Sequence, residues 1–99
     1  MSQYLGNAFS LQMLGDMSSA DIRVERIDGI SDEIKSSAMS VVGHPDTAKV
    51  LGVEFRRVSL TLEKGDVIYV AQLVGGRLPE GATTLPDGFE FVWFKVSIL

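Results

Sequence analysis

Residues 67–73 read Val-Ile-Tyr-Val-Ala-Gln-Leu and are apolar at every position except Gln72. A continuous apolar run of this length is typical of a strand that is covered on both faces of a sheet. Before it, residues 58–62 alternate apolar and polar side chains, and Lys64, Gly65 and Asp66 form a turn sequence. These patterns predict a β-hairpin whose second strand, residues 67–73, lies in the core of the fold.

Outward from this segment, short patterned stretches alternate with turn residues along the whole chain. They predict strands over residues 4–9, 21–27, 38–42 and 89–98, a helical turn over residues 10–14, and short helices over residues 31–37 and 45–51. Residues 74–84 are rich in glycine and lack periodicity, which predicts a loop. We therefore expect a single domain, residues 1–99, of the α+β class, with a mixed, mainly antiparallel β-sheet and two or three short helices. Because so small a domain buries a modest share of its surface, we also expect a homodimer.

Composition and charge exclude several classes of protein. The chain has nine Lys or Arg residues against thirteen Asp or Glu, which gives a formal net charge of −4. This balance argues against a protein that binds duplex nucleic acid, since non-specific affinity for DNA comes from Lys and Arg. The sequence contains no cysteine, so it has no thiolate nucleophile, and a zinc site with cysteine ligands is excluded. No apolar run reaches the ~20 residues of a membrane-spanning helix, and we expect a soluble, cytoplasmic protein that does not bind a membrane.

The one histidine, His44, is a candidate for acid–base chemistry, because imidazole is the side chain that titrates near neutral pH. It lies between Gly43 and Pro45, and proline suits the first position of a helix. A histidine at this point would lie beside free N–H groups, those of Asp46 and Thr47, that could hold an anion. The alternative is that His44 only caps the helix, and the spacing does not separate the two interpretations.

Two further polar features accompany the histidine. Gln72 interrupts the buried run, so it is either a core glutamine with satisfied hydrogen bonds or a side chain that faces a ligand at the end of the strand. The glycine-rich loop carries an arginine, Arg77, and a carboxylate, Glu80. An arginine can bind two phosphate oxygens at once through its planar guanidinium. Histidine and arginine together suggest acid–base chemistry on a phosphate.

Four blocks of the sequence, in order and spacing, resemble a known family. They are residues 4–10, Tyr-Leu-Gly-Asn-Ala-Phe-Ser, followed by Met13 and Leu14; then Gly43 and His44; then Gln72; and finally residues 77–81, Arg-Leu-Pro-Glu-Gly. The family that they resemble is the viral ring nucleases, type III anti-CRISPR enzymes that destroy cyclic tetra-adenylate. The chain differs from many archaeal-virus members, which have a longer helix after the histidine and a further helical segment before the last strand.

The resemblance implies a homodimer that binds one ring of four adenylates in a site shared by both subunits. It implies cleavage without a metal or any other cofactor, by attack of the ribose 2′-OH, to give two di-adenylates with 2′,3′-cyclic phosphate ends. His44, Arg77 and Glu80 fall on the catalytic positions of the family. The positions that resemble its substrate-binding ones are Asn7, Ser10, Arg57 and Gln72.

Other functions remain open at this point. A binding module that sequesters a cyclic nucleotide would need Arg77 and Gln72 but not His44. A structural or partner-binding dimer would place Trp93 and Phe94 at its interface. A metal site would have to be built from the carboxylates of Asp46 and Glu80.

Overall fold

The computed structural model describes residues 1–16 and 21–99, which form a five-stranded mixed sheet with short helices. The strands lie in the order β2-β5-β4-β1-β3, and this arrangement confirms the predicted α+β class. Their bounds are β1 Gln3–Gly6, β2 Ile22–Ile27, β3 Met39–Ser40, β4 Val67–Val74 and β5 Glu90–Ile98; the helices are α1 Asp32–Ser37 and α2 Pro45–Leu51, with a 3-10 turn at Leu11–Leu14.

Strand β4 lies at the centre of the sheet, as its sequence predicts. It pairs antiparallel with β5 on one side and parallel with β1 on the other. Ile68 and Ala71 are fully or almost fully buried, because each face of a central strand is covered by other parts of the chain. The antiparallel pairings extend along the whole of β2 and β4, whereas the parallel pairings of β1 with β4 and β3 are shorter.

The predicted hairpin between residues 58–62 and β4 is wrong. Both edges of β4 are occupied by β1 and β5, so residues 58–62 form no strand and cross one face of the sheet. Leu62 is buried in the core while Val58 stays 54% exposed, and the N–H of Leu62 donates to the carbonyl oxygen of Met13. The apolar residues of this segment therefore pack on the core only at its second half, through Leu60 and Leu62, and they form no β-ladder.

The two α-helices begin and end close to the predicted residues. Ser31 caps α1 by accepting a hydrogen bond from the N–H of Ile34 at 3.2 Å. Helix α2 starts at Pro45 and ends at Leu51, and it is capped by Gly52, whose left-handed backbone (φ 72°) is a conformation that glycine adopts at little cost. No helix among residues 1–16 and 21–99 is long and apolar enough to cross a membrane.

The two faces of the sheet are covered differently. On one face the core consists of Leu62, Ile68, Val70, Val96 and Ile98, with residues from the 3-10 turn packed over it. On the other face Trp93 lines a cavity together with Leu51 of α2. Adjacent strand residues point to opposite faces, so Trp93 and Phe94 cannot both belong to one flat interface, as the structural-dimer alternative requires.

Candidate functional site

The predicted site residues cluster where three neighbouring parallel strands end. Asn7 follows β1 directly, His44 lies four residues beyond β3, and Arg77 lies three residues beyond β4. Strands β4, β1 and β3 are parallel neighbours, so their carboxyl ends lie at the same edge of the sheet. This edge is where open sheets with parallel strands commonly bind ligands.

Two of the predicted residues hold Gly43, the residue that precedes His44. The N–H of Gly43 donates to Oδ1 of Asn7 at 3.4 Å. Arg57 donates to the carbonyl oxygen of Gly43 through Nε at 3.2 Å and Nη2 at 3.0 Å. The guanidinium also lies 5.9 Å from the ring centre of Phe55, within cation–π range. The backbone at His44 is therefore fixed from both sides by side chains distant in sequence.

His44 is exposed and caps α2 through its ring. Nδ1 accepts a hydrogen bond from the N–H of Thr47 at 3.3 Å, and the hydroxyl oxygen of Thr47 lies 3.3 Å from the same nitrogen. The capping interpretation is thus confirmed, and the prediction that the N–H of Thr47 is free to hold an anion is wrong. In the tautomer that fits this bond, Nε2 carries the proton and lies on the side of the ring away from the cap.

The loop that carries Arg77 and Glu80 lies against the start of α2. Leu78, between them, is buried, and the N–H of Gly81 donates to Oδ1 of Asp46 at 3.3 Å. Both charged side chains are exposed, and neither forms a hydrogen bond or ion pair with the described part of the chain. The fold brings Glu80 next to the first turn of α2, while it leaves the guanidinium of Arg77 in solvent.

Asn7 and Gln72 line a common cavity of about 320 Å³ on the core side of the sheet. Its wall is mainly apolar and includes the aromatic rings of Phe9 and Phe94. Gln72 is exposed, so the core alternative for this glutamine is wrong. Two amides over an apolar, partly aromatic wall form a surface that can accept a flat ring and hydrogen-bond its polar edge.

Ser10 lies apart from this cavity. It precedes the 3-10 turn, and its hydroxyl forms no hydrogen bond there. It lines a different cavity of about 330 Å³ together with Val58 and Leu60. The structure therefore brings Asn7, His44, Arg57 and the Glu80 loop together, and leaves Ser10 in a separate cavity.

Two contacts of the site were missed by sequence reasoning. Thr47 is the partner of the His44 ring, and the signal for it is the three-residue spacing from a capping residue to the N–H that it accepts. Asp46 is joined to the loop across 35 positions of sequence, and no local pattern indicates this. Within residues 1–16 and 21–99, no three His, Asp or Glu side chains come together as a set of metal ligands.

Comparison with known proteins identifies one matching family and one solved structure of similar fold. A family model described as STIV B116-like matches residues 3–95. Among solved structures, protein B116 of Sulfolobus turreted icosahedral virus matches with a TM-score of 0.73 and 20% sequence identity, over 98% of this chain and 99% of B116. At this identity the match shows a shared fold. No curated protein matches the chain.

Proposed function

The chain belongs to the STIV B116-like family, and from this premise we propose that it is a ring nuclease: a metal-independent phosphodiesterase that opens cyclic tetra-adenylate and so antagonises type III CRISPR signalling. One observation carries the proposal. His44, Asn7 and the loop with Arg77 and Glu80 follow the carboxyl ends of three adjacent parallel strands. An imidazole, an amide, a guanidinium and a carboxylate are thus carried by segments that meet at one edge of a small domain.

The proposed reaction is an internal transfer. The ribose 2′-oxygen attacks the neighbouring phosphorus, the new O2′–P bond forms, and the P–O5′ bond breaks with its electron pair on O5′. The His44 imidazolium gives its Nε2 proton to O5′, a role that contributes roughly 10²- to 10⁴-fold in enzymes of this kind. The carboxylate of Glu80 accepts the proton of the 2′-hydroxyl. Two such cuts give two di-adenylates with 2′,3′-cyclic phosphate ends.

The side chain of Thr47 gives the His44 ring a second contact beside the helix cap. While the ring is neutral, Nδ1 accepts the N–H of Thr47. When the ring is charged, both nitrogens are donors, so Nδ1 no longer accepts the N–H of Thr47, and the hydroxyl oxygen of Thr47, 3.3 Å away, is the acceptor for Nδ1–H. One threonine therefore offers a hydrogen-bond partner to both protonation states.

The distribution of charge supports a small phosphate ligand in place of a long nucleic acid. The chain has a net charge of −4, yet Arg57 and Arg77 are exposed near the site. In the proposed homodimer each cation occurs twice, which gives four guanidinium groups for the four phosphates of one ring. Such a local cluster attracts an anionic ligand even to an acidic protein.

Incubation with cyclic tetra-adenylate in EDTA, followed by mass spectrometry of the products, tests the proposal. We expect di-adenylates with 2′,3′-cyclic phosphate ends. The matched variant is His44→Asn, because asparagine keeps a capping oxygen at the start of α2 but cannot act as a general acid. It should bind the ring and cut it at least about 10²-fold more slowly. A 3′-phosphate formed directly by water, or equal turnover in His44→Asn, contradicts the mechanism.

The second candidate function is sequestration of the ring without cleavage. The observation that favours it is the structural use of His44, whose Nδ1 caps α2. Under this alternative the wild-type protein binds cyclic tetra-adenylate tightly and releases it unchanged, and His44→Asn binds it equally well. The product analysis in EDTA separates the two functions in a single experiment.

A further inference from the structure

The loop between β4 and β5, residues 75–89, is fixed at its base and at one internal turn. At the base, Gly75 approaches the chain so closely that a Cβ on it would lie 2.8 Å from the carbonyl oxygen of Gly88. The turn covers residues 79–82, where the N–H of Ala82 donates to the carbonyl oxygen of Pro79 at 3.1 Å. Its third residue, Gly81, has φ 78°, as a type II turn requires. Glu80 is the second residue of this turn.

In addition to the packing of Leu78, one side-chain hydrogen bond joins that turn to α2. The peptide between Glu80 and Gly81 points its N–H away from the turn, and Oδ1 of Asp46 accepts it at 3.3 Å. No other hydrogen bond in the described part of the chain joins residues 75–89 to a helix. Asp46 is the second residue of α2, two positions after His44.

We propose that Asp46 is a positioning residue, which holds the Glu80–Gly81 peptide and thereby keeps Glu80 and Arg77 next to His44. The inference rests on the proposed ring-nuclease function for its catalytic consequence. Its structural half, attachment of the loop to α2, does not depend on that function. The mechanism is geometric: Oδ1 fixes the peptide that directly follows Glu80, and Arg77 lies three residues earlier on the same short loop.

Limited proteolysis of the full chain tests the attachment. Trypsin cleaves after Arg77, so the rate of cleavage between Arg77 and Leu78 reports how often the loop leaves α2. We expect Asp46→Ala to raise this rate about fivefold, in line with the loss of one hydrogen bond when cleavage follows the open population. Asp46→Asn keeps an oxygen acceptor and should stay within about twofold of the wild type.

Two controls separate the loop from general destabilisation. Asp32→Ala removes an acidic residue from the first turn of α1, where no loop is attached, and should leave cleavage at Arg77 unchanged. The free energy of unfolding, from urea denaturation followed by Trp93 fluorescence, reports opening of the whole domain and is measured for each variant. An unchanged rate of cleavage at Arg77 in Asp46→Ala, or a rise that the loss of global stability explains in full, overturns the proposal.

Turnover of cyclic tetra-adenylate tests the catalytic half. We expect Asp46→Ala to lower kcat about tenfold with KM within about twofold, and Asp46→Asn to restore kcat, because misplaced catalytic groups lose rate more than affinity. Faster cleavage at Arg77 with an unchanged kcat means that Asp46 only holds the loop and overturns the positioning role. A wild-type protein without turnover refutes the ring-nuclease function, while the proteolysis result still decides the attachment.

Discussion

Arg57 binds the carbonyl oxygen of Gly43 with two hydrogen bonds, from Nε at 3.2 Å and from Nη2 at 3.0 Å. On the opposite side of the same residue, Asn7 accepts the Gly43 N–H. Because Gly43 directly precedes His44, a cation and an amide from two other parts of the chain set the backbone from which the imidazole projects. Arg57 thus has two roles in the proposed site, since it orders His44 and adds positive charge beside it.

The first prediction concerns this arginine. We expect Arg57→Met to weaken binding of cyclic tetra-adenylate about tenfold and to lower turnover further, because a charge-assisted contact and the support of Gly43 are both lost. For Arg57→Lys we expect binding and turnover between those of the wild type and Arg57→Met, since an ammonium group keeps the charge but lacks the planar guanidinium. Titration calorimetry and initial rates measure the two effects.

Arg56→Met is the matched control for Arg57. The guanidinium of Arg56 pairs with the exposed carboxylate of Glu54 at 3.4 Å, so it shares the charge of Arg57 but not its contact with Gly43. If both variants weaken binding equally, charge alone accounts for the effect and the support of Gly43 contributes nothing.

The second prediction concerns the hydroxyl of Thr47, which lies 3.3 Å from Nδ1 of His44. We expect Thr47→Val to lower kcat about tenfold while ring binding stays within about twofold, since it removes the acceptor for the charged imidazole but keeps the capping N–H. Thr47→Ser retains the hydroxyl and should recover most of the rate. Loss of binding in Thr47→Val, with kcat unchanged, contradicts the assigned role.

Much of the fold could be predicted because its signals are local. The buried run of β4, Ser31 at the start of α1 and Pro45 at the start of α2 each act through neighbours within four residues. The strand pairing could not be predicted in the same way, since residues 58–62 alternate as a β-strand does. Their exclusion from the sheet follows from the pairing of β4 with β1 and β5, which is a property of the whole chain.

The site, like the fold, could be predicted where the signal is local, and not where a contact joins residues far apart in sequence. His44 and Arg77 were found because histidine and arginine carry rare chemistry, and the position of His44 before Pro45 fixed its place at a helix start. The supporting contacts escaped detection, because the Asn7–Gly43 and Asp46–Gly81 hydrogen bonds join residues 36 and 35 positions apart. Nothing in the composition of either partner indicates the other.

The third prediction tests how residues 58–62 pack on the sheet. Leu62 is 2% exposed and belongs to the core, whereas Val58 is 54% exposed. We expect Leu62→Ala to lower the free energy of unfolding by about 2–5 kcal/mol, and Val58→Ala to change it by less than about 0.5 kcal/mol. Urea denaturation followed by Trp93 fluorescence measures both. Equal effects of the two substitutions would mean that the segment does not enter the core only at its second half.

The fourth prediction concerns the base of the loop with Arg77 and Glu80. Gly75 has φ 119°, and a Cβ there would lie 2.8 Å from the carbonyl oxygen of Gly88 and 2.9 Å from Cα of Phe89. Gly75→Ala therefore combines backbone strain with a collision against backbone that cannot give way. We expect it to destabilise the protein by about 2–4 kcal/mol and to speed tryptic cleavage after Arg77.

Gly88→Ala separates the two components of that effect. Gly88 also has a positive φ, 84°, but a Cβ there would meet nothing within 4 Å. Its substitution by alanine should cost only the strain, about 1–2 kcal/mol, and leave the path of the loop unchanged. Thermal unfolding gives the stability of both variants, and the rate of cleavage after Arg77 reports the loop. If Gly88→Ala opens the loop as strongly as Gly75→Ala, the close approach at Gly75 is not what fixes its base, and the positive φ values alone set the path of the chain.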